Sequence, residues 1–142
     1  GLVALSQSCH SLEHLELDNC NSVGLEGIEK IASKCKKISH LSLECCYLIG
    51  DVELEVIAKN LGSTLVYLNL AFCKKIRNDG MKHLGEHCKN LQYLNLTRCA
   101  EITEVGFQYL ESSLSNLRSI NLSRTYFTTD KAVSMITRQC QN

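Results

Sequence analysis

The stretch Cys88-Lys89-Asn90-Leu91-Gln92-Tyr93-Leu94-Asn95-Leu96-Thr97-Arg98-Cys99-Ala100-Glu101-Ile102 decides the architecture of this chain. Its centre is the frame Leu-x-x-Leu-x-Leu-x-x-Cys. The frame also occurs at Leu12, Leu15, Leu17, Cys20, at Ile38, Leu41, Leu43, Cys46 and at Leu65, Leu68, Leu70, Cys73. A fifth copy, Leu117, Ile120, Leu122, ends in Thr125 where the cysteine would stand. The copies are 26 or 27 residues apart, and five of them fit within 142 residues. A fixed period of this length denotes a solenoid, in which each unit buries its apolar side against its neighbours.

Within a unit the periodicity changes once. Leu15 and Leu17 alternate with His14, Glu16 and Asp18, the two-residue period of a short strand with one buried face. A helical stripe follows: Ile28, Ile31, Ala32, Cys35; then Leu54, Ile57, Ala58, Leu61; then Met81, Leu84, Gly85, Cys88; then Phe107, Leu110, Leu114; then Val133, Ile136, Cys140. The expected fold is therefore α/β: an arc of about five units with parallel strands on the concave face and helices on the convex face. Gly27, Gly80, Gly106 and Ala132 stand just before the stripe, where a small residue lets the helix start approach its neighbour; Glu53 breaks that column. Gly62 is expected to end its helix with a left-handed cap. Leu2, Leu5, Ser6 and Cys9 match a helix stripe without its strand. Residues 1–142 are thus expected to form a single domain that is an excerpt of a longer solenoid.

Composition narrows the function classes. The formal net charge is zero, which favours neither nucleic acid nor an anionic membrane. No apolar run is long enough to span a bilayer. Eight of the nine cysteines fall on two positions of the repeat, Cys20, Cys46, Cys73, Cys99 and Cys9, Cys35, Cys88, Cys140. Leucine fills the gaps in the second column, so these positions call for small apolar groups. They read as reduced core thiols in an intracellular protein. Cys45 lies off both columns and is expected to be the exposed, most reactive thiol. The cysteines do not converge as zinc ligands do, no nucleophile has a partner base in sequence, and no glycine loop for phosphate is present. No cofactor, metal or enzymatic activity is expected.

The unit Cys-x-x-Leu-x-x-Leu-x-Leu-x-x-Cys-x-x-Ile followed by a helix resembles the cysteine-containing leucine-rich repeat of F-box/leucine-rich repeat proteins. Cys35 to Cys46 fits that form, and Cys88 to Ile102 fits it more closely. The resemblance implies a protein-interaction module, the substrate-binding part of an SCF ubiquitin ligase receptor. Contact with other SCF components would run through an F-box that these residues do not contain. Similar repeats serve as scaffolds, including in a ciliary dynein regulatory complex, and that is the alternative.

Residues between the leucines are expected to face the partner. They include His14, Glu16, Asp18, His40, Glu44, Tyr67, Asn69, Tyr93 and Asn95, with Phe72, Arg98 and Arg124 at the rim. The first two units supply acids here, and the later ones supply Lys74, Arg98 and Arg124. Such a gradient orients and steers a protein partner. Tyrosine and arginine are enriched among binding hot spots. Asn69, Asn95 and Asn121 form one column and are expected to make an amide ladder across the strands.

Overall fold

The computed structural model describes residues 1–111 and 114–126. The fifth helical stripe (Val133, Ile136, Cys140), Ala132 and the side chain of Leu114 lie outside the described residues. Five strands of three residues each form one parallel sheet in sequence order: β1 His14–Glu16, β2 His40–Ser42, β3 Tyr67–Asn69, β4 Tyr93–Asn95 and β5 Ser119–Asn121. Helices α1 Leu2–Ser8, α2 Leu25–Lys34, α3 Asp51–Leu61, α4 Asn78–His87 and α5 Glu104–Glu111 pack side by side, each against the next. The fold is the leucine-rich repeat solenoid expected from the periodicity.

Register follows the repeat without slippage. Leu15, Leu41, Leu68, Leu94 and Ile120 are opposed in successive strands. Hydrogen bonding continues past the strands: the Leu43 N–H donates to the Asn69 carbonyl at 2.9 Å, and the Cys45 N–H to the Ala71 carbonyl at 2.9 Å. The frame leucines of the middle units and the helix stripes meet in one continuous core.

The cysteine columns do more than fill space. All eight described cysteines are free thiols. The Cys46 Sγ donates to the Leu17 carbonyl at 3.0 Å, Cys73 to Leu43 at 3.2 Å and Cys99 to Leu70 at 3.2 Å. Each thiol thus ties its unit to the preceding strand, which a leucine could not do. Thr125 is buried but donates to Leu122 of its own unit at 2.7 Å, so the fifth unit lacks this tie. Cys20 is only half-buried, in contrast to Cys46, Cys73 and Cys99, because no described strand precedes β1. Cys45 is also half-buried rather than exposed. Burial pushes the thiols of Cys88 and Cys99 up to about 12 and that of Cys73 higher still. In the native state a thiol reagent should therefore modify Cys9, Cys20 and Cys45 well before Cys73, Cys88 and Cys99, as mass spectrometry after timed alkylation would read.

Neighbouring helices are joined at their starts. The Asp51 Oδ1 accepts from the backbone N–H of Arg77 at 2.7 Å and of Gly80 at 3.0 Å, so one unit caps the helix of the next. Asn78 repeats the device on the N–H of Thr103 at 2.9 Å. A Cβ on Gly80 would lie 2.6 Å from that Asp51 oxygen, and one on Gly106 would lie 2.7 Å from the Asn78 oxygen. Glu53 breaks the small-residue column because its carboxylate folds back to accept from the Gly50 N–H at 2.9 Å.

Gly62 departs from expectation. Its φ is −56°, an ordinary right-handed value, so it is not a left-handed cap. The reason for glycine is steric: a Cβ would lie 2.6 Å from the His87 carbonyl oxygen of the next unit. Gly85 is tighter, with a Cβ position 2.1 Å from the Tyr109 carbonyl oxygen. Gly85→Ala must push α4 and α5 apart and should cost about 1–3 kcal/mol of stability, measurable by urea unfolding.

Candidate interaction surface

Residues at the first position of each strand make a column across the sheet, and four of them carry rings. His14 stacks on His40 with centroids 4.1 Å apart, His40 on Tyr67 at 5.8 Å, and Tyr67 on Tyr93 at 4.4 Å with planes 2° apart. Parallel register at strand spacing produces the stack: each ring stands directly over its neighbour. Tyr67 and Tyr93 remain half-exposed, and burial, followed by Tyr93, pushes the Tyr67 hydroxyl above its ordinary pKa. His14, Leu15, Glu16, His40, Ser42 and Tyr67 line a hollow of about 280 Å³ over the first three strands.

The second position of the face is internally engaged. Asn69 is 6% exposed, and its amide donates to the Ser42 Oγ and the Glu44 Oε2, both at 3.1 Å. The asparagines do not form an amide ladder. Instead the Oδ1 of Asn69, Asn95 and Asn121 accepts the N–H two residues on, at 3.1, 3.0 and 3.0 Å. These are Asx turns, and they bend the chain out of each strand. In the second unit, where Ser42 replaces asparagine, Asp18 of the preceding unit receives both the Ser42 hydroxyl and the Glu44 N–H. Among the sequence-predicted residues, Asn69 is thus held in the wall, while Glu16 and Asp18 stay exposed and Glu44 and Asn95 are half-buried.

The rim has a feature that the sequence does not announce. Asn19, Cys45, Phe72, Arg98 and Arg124, one per unit, all have φ between 58° and 63°. This left-handed region suits glycine or asparagine and costs other residues roughly 1–3 kcal/mol. Only Asn19 is a residue type that would signal it. The Arg98 guanidinium lies 5.4 Å from the centre of the Phe72 ring, a cation–π contact between adjacent units. Lys74, Arg98, Ala100, Glu101, Arg124, Thr125 and Tyr126 enclose an open basin of about 600 Å³. Among the described residues, no acid lies within ion-pairing distance of Lys74, Arg98 or Arg124. Glu16, Asp18 and Glu44 lie over the first two units and Lys74, Arg98 and Arg124 at the rim of the later ones, but the separation is incomplete, because the exposed Glu101 lines the same basin as the bases.

A leucine-rich repeat family model matches residues 8–32, 63–85 and 87–110, together just over half of the chain. The chain belongs to the leucine-rich repeat family. Among solved structures, it is similar to a chain of the yeast Rad7–Elc1 complex at 25% identity and a TM-score of 0.75. That match covers 85% of this chain and 30% of the other, so these repeats span under a third of that protein. It has the same fold as the tropomodulin C-terminal domain of Caenorhabditis elegans, at 15% identity and a TM-score of 0.71, covering 99% of this chain and 89% of that one. Leiomodin-1 actin-binding site 2 gives 14% identity and a TM-score of 0.74, with coverage of 98% and 84%. No curated protein matches the chain by sequence comparison. The repeats mark it as a protein-interaction module. No helix among the described residues is long and apolar enough to cross a membrane.

Proposed function

We propose that the strand face is the docking surface for a protein partner, and that these repeats form the substrate-recognition part of an F-box-type ubiquitin ligase receptor. The observation that carries the docking reading is the ring stack running from His14 to Tyr93, half-open to solvent, between acids over the first strands and a basin that gathers Lys74, Arg98 and Arg124. Rigid aromatic area is gained on binding with little loss of side-chain freedom, and opposed charges set the partner's direction. The partner presents its basic side toward Glu16, Asp18 and Glu44 and its acidic side toward Lys74, Arg98 and Arg124. Phe72 holds Arg98 in place for that contact. Asn69 and Asn95 shape the wall.

The ligase reading rests on the cysteine-containing repeat form and on the 25% identity to a chain solved in complex with a second protein, Elc1. The tropomodulin and leiomodin likenesses fall below the level at which more than the fold carries over. Affinity purification of the protein that carries these repeats, from its native cell, is the test. Co-purification of a cullin–RING adaptor is the expected result. Recovery within a stable structural assembly, with no ligase subunit, would favour the scaffold role instead.

A further inference from the structure

The helical side of the solenoid carries a cluster of metal-ligating groups that the docking surface does not use. α4 reads His83-Leu84-Gly85-Glu86-His87, so His83 and His87 lie one turn apart on the same helix face. Ligand atoms of His83, Glu86 and His87 all lie within 4.8 Å of one another. The Glu86 Oε2 stands between the two rings, 4.0 Å from the His83 Nδ1 and 4.0 Å from the His87 Nε2.

The other side of the His83 ring faces the neighbouring helix. Its Nε2 lies 3.8 Å from the Glu55 Oε2 on α3, and Lys59 donates to the other oxygen of that carboxylate. At 3.8 Å the Glu55 carboxylate does not hydrogen-bond the ring, but its charge favours a proton on the nearer nitrogen, Nε2. The Nδ1 then carries a free lone pair. That nitrogen is buried and has no hydrogen-bond donor among the described residues. Buried polar atoms in folded proteins nearly always have a partner, so this one calls for an explanation. A Lewis acid supplies one. A carboxylate behind a ligating imidazole is the arrangement that fixes a metal-binding histidine.

We propose that His83, Glu86 and His87 bind a divalent transition-metal ion of the Zn²⁺ class, His83 ligating through Nδ1 while Glu55 orients the ring from behind. Two imidazoles and one carboxylate suit Zn²⁺, whereas Mg²⁺ and Ca²⁺ require shells of oxygen. Tetrahedral zinc places its ligand atoms roughly 3.3–3.4 Å apart. The Glu86 and His87 side chains are 49% and 37% exposed, so rotation closes the remaining gap without moving the helix. Three protein ligands leave the fourth position open to water on the convex surface. Because Glu55 belongs to α3, metal binding also couples two units, independently of any partner on the strands.

Calorimetric titration of zinc chloride into the chain tests the site, with cobalt(II) as a spectroscopic substitute. One equivalent should bind. His83→Asn and His87→Asn should each weaken binding about tenfold or more, and Glu55→Gln should weaken it about 10–100-fold without changing the stoichiometry. Cys45→Ser should leave it unchanged, and the cobalt spectrum should lack a thiolate charge-transfer band. Circular dichroism in the presence of a chelator checks that each variant is folded. Absence of saturable binding by the unaltered chain, binding that survives both histidine changes, or a thiolate band would each overturn the proposal.

Discussion

Replacing Leu68 by alanine should cost this chain about 3–5 kcal/mol of folding stability, a large part of the 5–15 kcal/mol that holds a typical domain together. Leu68 is the middle residue of the central strand and has no solvent exposure. Its side chain lies between Leu41 and Leu94, which are also buried. Truncation opens a cavity bounded on both sides by neighbouring units, and rigid strand spacing prevents its collapse. In a solenoid, stability is close to a sum over units and the interfaces between them, so a central truncation weakens two interfaces. Leu15 occupies the same frame position in β1, retains 7% exposure and has a strand on one side only. Leu15→Ala should therefore cost distinctly less. Urea unfolding of the two variants reads the difference, and equal losses would contradict a nearest-neighbour account of this fold.

The sheet and helices were legible in the sequence because both depend on apolar spacing, which the chain repeats five times. The leucine frame predicted the register that places Leu41, Leu68 and Leu94 in one row, and with it the alignment of the residues between the leucines, His40, Tyr67 and Tyr93 among them. Their stacking follows from strand spacing. What escaped were interactions whose partners lie one unit away. Nothing local to Asp51 reveals that it caps the following helix. Gly62 ends its helix as expected, but in a right-handed conformation, and the need for glycine there is set by the backbone of Ala58 and of His87 in the next unit. The asparagine column was visible as a pattern, yet its chemistry is an Asx turn within each unit, because the N–H two residues on competes for the same oxygen.

The rim and the convex cluster were hidden for different reasons. Left-handed backbone is usually signalled by glycine or asparagine, and Phe72, Arg98 and Arg124 give no such sign. The spacing of His83, Glu86 and His87 could have been noticed as one helix face. Its pairing with Glu55 could not, since that contact depends on how α3 and α4 pack. Lys74, Arg98 and Arg124 were expected on the later units, but that they line one basin follows only from the turns that precede them.

If the strand face is the binding surface, the tyrosine pair should carry a large share of the affinity. Tyr67 and Tyr93 are stacked and half-buried, so each already holds one conformation before a partner arrives. A preordered ring contributes its contact area with little entropic loss, which is why such residues become hot spots. The decisive measurement is the calorimetric affinity of the partner retained in affinity purification for the unaltered chain and for Tyr67→Ala, Tyr93→Ala and Lys82→Ala, each checked for folding. Lys82 is exposed on α4 and serves as the convex control. Each tyrosine change should weaken binding by about 1–3 kcal/mol, whereas Lys82→Ala should have almost no effect. Full affinity in both tyrosine variants, with loss in the Lys82 variant, would place the partner on the helices and contradict the account.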